Sequence, residues 1–311
     1  MATSRPRFSL ILATRNRDVE ISRLLDSLTV QTNRDFRLIV VDQNPDERLA
    51  ALFDRYRDRV DLLHLASTPG LSHARNQGLR YAEADLIAFP DDDCWYPPQA
   101  LATVDTHLKR NSRSQGLCGR ALDGSGRARG RWARRPKRIN RYNIFGCCIS
   151  FTIFLRREAV EQIGRFDETL GLGARSPWQG GEDYDYLLRA SRLAGGVDYD
   201  PALFIHHPPL TQEYDDTALA KRIGNALGFG RFLRLQDYPP WFVRYYSTRY
   251  LADALRCLAQ GDLQKAHYRW STLIATLEAY RGRIGICANS VTSQISPSLP
   301  WSEPDRPATI N

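Results

Sequence analysis

Paired cysteines, long apolar runs and glycine after the first apolar strand are all missing from this chain of 311 residues. Its six cysteines, Cys94, Cys118, Cys147, Cys148, Cys257 and Cys287, form no CxxC pair and show no Cys/His ligand spacing, which argues against a zinc or dithiol redox centre. Cys147 and Cys148 are neighbours, a poor arrangement for a disulfide, so idle thiols in a reducing compartment are expected. The apolar stretch from Phe8 to Ala13 is too short for the core of a signal peptide. The longest run, Ile144 to Leu155, is interrupted by Gly146 and falls short of the roughly 20 residues of a spanning helix. A cytoplasmic protein is expected, with any membrane contact peripheral and at the inner face of the cell membrane. Acidic residues are scarce between Lys109 and Arg141. There Arg110, Arg113, Arg120, Arg127, Arg129, Arg131, Arg134, Arg135, Lys137 and Arg138 are opposed only by Asp123, within a formal net charge of +8. Such a segment suits a diphosphate or an anionic membrane, or it is simply a solvated loop. Nucleic acid is not expected as a partner: Gly124, Gly126, Gly130 and Pro136 break any groove-entering helix, and no nucleic-acid module is visible.

What the chain does have is an apolar run, Leu86 to Phe89, that leads through Pro90 into three consecutive carboxylates, Asp91, Asp92 and Asp93. Adjacent like charges resist burial, so a triplet at the mouth of a core strand calls for a cation. Oxygen ligands favour Mg²⁺ or Mn²⁺, which keep positions open for substrate phosphate. A solvated acidic turn is the plain alternative. Apolar runs at Phe8 to Ala13, Arg37 to Val41, Leu62 to Leu65 and Leu86 to Phe89 alternate with helical spacings such as Leu24, Leu25 and Leu28. That alternation predicts an α/β fold with a mainly parallel sheet flanked by helices. Ligands bind beyond the carboxyl ends of such strands, where this chain places Thr14-Arg15-Asn16-Arg17, Asp42-Gln43-Asn44 and the triplet. Farther on, Gly180-Gly181-Glu182-Asp183 opens a helix with acids in its first turn.

After about residue 215 the composition changes. Trp241, Phe242, Tyr245, Tyr246, Tyr250, Leu251, Leu255 and Leu258 alternate with arginines, which predicts basic amphipathic helices that either pack on the preceding domain or lie on an anionic membrane. The expected organisation is a catalytic domain over 1–214, a helical extension over 215–285 and a disordered tail over 286–311.

From Phe8 to about His207 the ordered set of motifs resembles family-2 glycosyltransferases of the GT-A fold. It comprises Thr14 to Arg17, Val40-Val41-Asp42, the stretch Gly70 to Leu79, Phe89-Pro90-Asp91-Asp92-Asp93, Gly164-Arg165-Phe166-Asp167-Glu168 and Gly181-Glu182-Asp183. The resemblance implies an inverting transferase that moves a sugar from a nucleotide-sugar donor to a saccharide or lipid-linked saccharide, as in surface polysaccharide synthesis. It implies Asp183 as catalytic base and Mn²⁺ or Mg²⁺ held by Asp93 and Asp91. His206 or His207 would add a further metal or diphosphate contact, and His206 is assigned to the metal. Donor binding falls to Thr14, Arg15, Asn16, Asp42, Gln43, Arg75, Asn76, Asp91 and Asp92, and acceptor binding to Glu182 and Trp178. Arg15 and Gln43 stand where many relatives have an aromatic residue and a second Asp, so the donor base stays open, with UDP first and GDP next. Two alternatives compete. A sugar nucleotidyltransferase would need a Gly-rich loop after the first strand, and Ala13 to Asp18 contains no Gly. A binding protein on the same fold would tolerate loss of Asp93 and Asp183, yet both are present.

Overall fold

The structure, a computed structural model, describes residues 5–128, 130–209 and 214–283. The expected tail over 286–311 and Cys287 lie outside the described residues. The sequence opens with β1 (Phe8–Thr14), α1 (Val19–Thr29), β2 (Phe36–Asp42), α2 (Ala50–Asp54), β3 (Leu62–Ala66), α3 (Leu71–Leu79) and β4 (Leu86–Ala88). Asp18 caps α1 by accepting from Val19 N at 2.6 Å, and Ile21, Leu24, Leu25 and Leu28 make its buried stripe. The second half contributes α4 (Ala100–Arg110), β5 (Gly116–Leu122), β6 (Lys137–Arg138), β7 (Ile153–Arg156), α5 (Arg157–Ile163), α6 (Glu182–Ser191) and β8 (Val197–His206). Three helices follow: α7 (Asp216–Leu235), α8 (Pro240–Ala259) and α9 (Leu263–Arg281). Among the described residues no helix is long and apolar enough to cross a membrane.

One eight-stranded sheet has the order β3-β2-β1-β4-β7-β5-β8-β6. Strands β1 to β4 pair in parallel, as the alternating pattern predicts. Beyond β4 the sheet is mixed, because β7 runs antiparallel to both β4 and β5. The two-residue side-chain period splits the core cleanly. Leu10, Leu12, Leu38 and Val40 face one side with α1 and α4, while Ile11, Ala13, Ile39 and Val41 face the other with residues of α3, α5 and α6. Gly78 lets α3 approach β1 this closely, since a Cβ there would run into the Ile11 side chain.

The basic segment is not one loop. Lys109 and Arg110 end α4, Arg120 lies in β5 and Lys137 and Arg138 form β6, so only the stretch between β5 and β6 connects. The apolar run Ile144 to Leu155 likewise divides into two short 3₁₀ turns before β7.

Candidate active site

Three strand ends and one helix start meet at the carboxyl edge of the sheet. Thr14, the last residue of β1, donates its hydroxyl to Asp92 Oδ2 at 2.9 Å. Arg17, which the sequence reading left without a role, reaches Asp93 at 3.4 Å and Asp92 at 3.8 Å. Asp91 is held from two sides: Arg75 Nη2 lies 3.1 Å from its Oδ1, and the Ser150 hydroxyl donates to its carboxylate at 3.1 and 3.2 Å. The three carboxylates therefore have three environments. Burial raises Asp91 above the ordinary carboxylate range despite the pull of Arg75, and burial lifts Asp92 to about 6 against its bond from Thr14. Burial also acts on Asp93, but the hydrogen bond and charge of His207 together with Arg17 outweigh it, so Asp93 falls below its ordinary value.

His207, not His206, adjoins the triplet. Its Nε2 lies 3.0 Å from Asp93 Oδ1, and its ring stacks on Phe151. His206 instead stacks on Trp95, and its Nδ1 lies 3.1 Å from Asp123 O. The assignment of His206 to the metal is thereby corrected. Backbone bonds in both directions between Trp95 and His206, each 3.0 Å, fasten the end of β8 beside the triplet and leave the next residue to face it.

The second acidic centre belongs to α6. Gly181 enters the helix at φ +88° in the left-handed region, and a Cβ there would press on Gly228 O of α7 at 2.7 Å. Asp183 accepts from Tyr184 N at 2.8 Å, and the main chain of Ser150 also favours its charged form. Ser150 therefore acts on both acidic centres, with its hydroxyl bonded to Asp91 and its main chain favouring the charged form of Asp183. Arg75, only 1% exposed, makes a parallel link with Nη1 3.5 Å from Glu182 Oε1. Burial pushes Glu182 up to about 7, with the Asp183 charge adding to it; burial raises Asp183 as well, while its backbone donors favour the charged form.

A cleft of about 410 Å³ opens over Asp183 and Glu182. Its far wall is made by Arg222, Asn225 and Phe229 of α7, Tyr246 and Tyr250 of α8, and Thr272 of α9. Five other expected side chains have the following surroundings. Trp178 lies outside the cleft lining and packs beneath Arg231, 4.2 Å from its ring centre. Asn76 is buried and braces the turn before α6, donating to Phe166 O at 3.0 Å and Glu168 at 2.8 Å. Gln43 accepts from Gly70 N at 2.7 Å, which commits its carbonyl to the start of α3. Asp42 accepts from Asn44 N and Nδ2 at 2.9 and 2.7 Å and lies 3.0 Å from His64 Nε2. Arg15 is exposed beside Asn16, whose φ of +57° turns the chain sharply after β1. Ser150 was missed in sequence because its role rests on a contact spanning 59 positions.

Residues 9–164, half of the chain, match the family model for glycosyl transferase family 2. The chain belongs to that family. An uncharacterized glycosyltransferase of Haemophilus influenzae is 32% identical over 103 residues, covering 33% of this chain and 35% of that protein. The Escherichia coli UDP-Glc:alpha-D-GlcNAc-diphosphoundecaprenol beta-1,3-glucosyltransferase WfgD is 30% identical over 105 residues, covering 33% of this chain and 42% of that protein. The matched stretch thus spans less than half the length of either relative. In fold, the chain is similar to the mannosyltransferase PcManGT from Pyrobaculum calidifontis, solved with GDP-Man and Mn²⁺. The TM-score is 0.57 at 16% identity, over 94% of this chain and 80% of that one. The mixed sheet flanked by helices is the GT-A architecture of this family-2 chain.

Proposed function

We propose that this family-2 chain transfers a sugar, with inversion, from a nucleotide-sugar donor to a hydroxyl of a saccharide or lipid-linked saccharide. The observation that carries the reading is that one buried arginine, Arg75, contacts both Asp91 of the triplet and Glu182, the chain neighbour of Asp183. That link keeps a diphosphate-facing acidic centre and a base-bearing helix in fixed relation, which a displacement across one anomeric carbon requires. The names of the relatives support it: the Escherichia coli protein takes UDP-glucose to a diphosphoundecaprenol-linked acceptor, and the Pyrobaculum structure holds GDP-mannose. UDP-sugar is the first expectation for the donor and GDP-sugar the next.

Among the described residues no three His, Cys, Asp or Glu side chains converge as a ready-made metal cage. Asp93 beside His207 is instead the kind of sparse donor set that Mg²⁺ or Mn²⁺ shares with substrate phosphates, so the residues fit a cation completed by the donor. Asp93 and His207 would hold it, with Asp91 behind them. When bound, the cation supplies charge neutralisation for the departing nucleoside diphosphate. Asp183 takes the proton of the acceptor hydroxyl as its oxygen forms the bond to the anomeric carbon and the bond to the diphosphate oxygen breaks. Glu182 and the wall of α7 and α8 receive the acceptor. We place the work in the cytoplasm, at the inner face of the cell membrane when the acceptor is lipid-linked.

The test is a melting-temperature panel of nucleoside diphosphates with and without Mn²⁺, followed by NMR of the product's anomeric configuration. One base should raise the melting temperature only with the cation, and the product should carry the configuration opposite to the donor's. Retention of configuration overturns the reading.

A further inference from the structure

Helix α8 presents a second surface that the transfer site does not use. Its Phe242, Val243 and Tyr246 close on the aromatic core, whereas Trp241, Tyr245 and Leu255 are 59, 61 and 55% exposed. At 3.6 residues per turn, Trp241, Tyr245, Ala252, Leu255 and Ala259 fall on one outward stripe, bordered by Arg249 and Arg256 on one side and Arg244 on the other. Asp253 is the only acid of the helix and is paired with Arg256 at 3.2 Å. The surface continues onto the connection between β6 and β7. Tyr142 packs against Trp241 with ring centres 5.8 Å apart, and Arg134, Arg135 and Lys137 upstream are exposed, with no carboxylate partner among the described residues.

We propose that this face seats the protein on an anionic lipid bilayer. Trp241, Tyr245 and Leu255 would enter the headgroup region, and the arginines and Lys137 would meet lipid phosphates. An apolar stripe with cations on both borders is what interfacial helices use. A second copy fits the face poorly, because a two-fold contact would set these like-charged borders against each other. The inference deepens the proposed transfer and rests on it in one respect: Tyr246 and Tyr250, on the reverse face of α8, line the cleft beside Asp183. A seated α8 therefore holds the cleft within about one helix diameter, ~10 Å, of the lipid headgroups.

The test is cosedimentation of the full chain with phosphatidylcholine vesicles that contain or lack phosphatidylglycerol. The chain should bind only the anionic vesicles, and less as salt rises. The Trp241→Ser/Leu255→Ser and Arg244→Gln/Arg249→Gln variants should each bind roughly tenfold more weakly. The proposal is overturned if the parent stays in solution with anionic vesicles at low salt, if both variants bind like the parent, or if the face proves to be a dimer contact that the Trp241 variant abolishes. Nucleotide-induced melting shifts on the same preparations test the transferase reading separately, since none of the substituted residues lines the cleft.

Discussion

Glu182 and Asp183 are consecutive buried carboxylates, and the surroundings give them different work. Asp183 receives a main-chain N–H bond from Tyr184, which favours its ionised form, while burial raises both carboxylates and the charge of each opposes ionisation of the other. A base must be ionised to act, so activity rises with pH as the pair loses its protons. Glu182→Gln removes the neighbouring negative charge and frees Arg75 for Asp183. The acid limb of the kcat/KM profile should then move to lower pH by about one unit. A limb that stays in place would show that the two groups do not share a proton. The helix start that carries Asp183 was legible in sequence because Gly-Gly-Glu-Asp announces a helix with acids in its first turn. The choice between His206 and His207 was not legible. Neighbours on an extended chain face opposite ways, and the facing is set by the Trp95 pairing, more than a hundred positions away.

At the scale of elements, the contact between the entry to α6 and helix α7 decides where Asp183 stands. Gly228 lies inside α7, where glycine costs about 1 kcal/mol relative to alanine, and it is there because a Cβ would strike the Gly180 backbone. Gly228→Ala should force the two apart, destabilising the protein by about 1–3 kcal/mol in urea unfolding and lowering transfer more than nucleotide binding. Unchanged stability would mean that the close approach is not maintained in solution. The parallel half of the sheet could be read from apolar runs spaced by helical periods. The antiparallel β7 could not, because the run from Ile144 to Leu155 has no periodicity that separates its 3₁₀ turns from its strand.

Across the whole molecule, the site is assembled from distant parts of the chain. The triplet follows β4, Arg75 comes from α3, Ser150 from the turn before β7, the base from α6, and the outer wall from α7, α8 and α9. The family match ends at residue 164, before both the base and that wall. The order of motifs gave the strands and loops around the triplet, whereas the cleft wall of Arg222, Tyr246 and Tyr250 emerged only when α7 packed against α6 and α9 joined α7 to α8. What unites the halves is the bridge from Asp91 through Arg75 to Glu182, beside Asp183, and the most direct test is to neutralise Asp183. Asp183→Asn should lower transfer by roughly 10²- to 10⁴-fold while leaving cation-dependent binding of the nucleoside diphosphate unchanged. Transfer at the parent rate by this variant would contradict the account, because the acceptor proton would then be leaving through some other group.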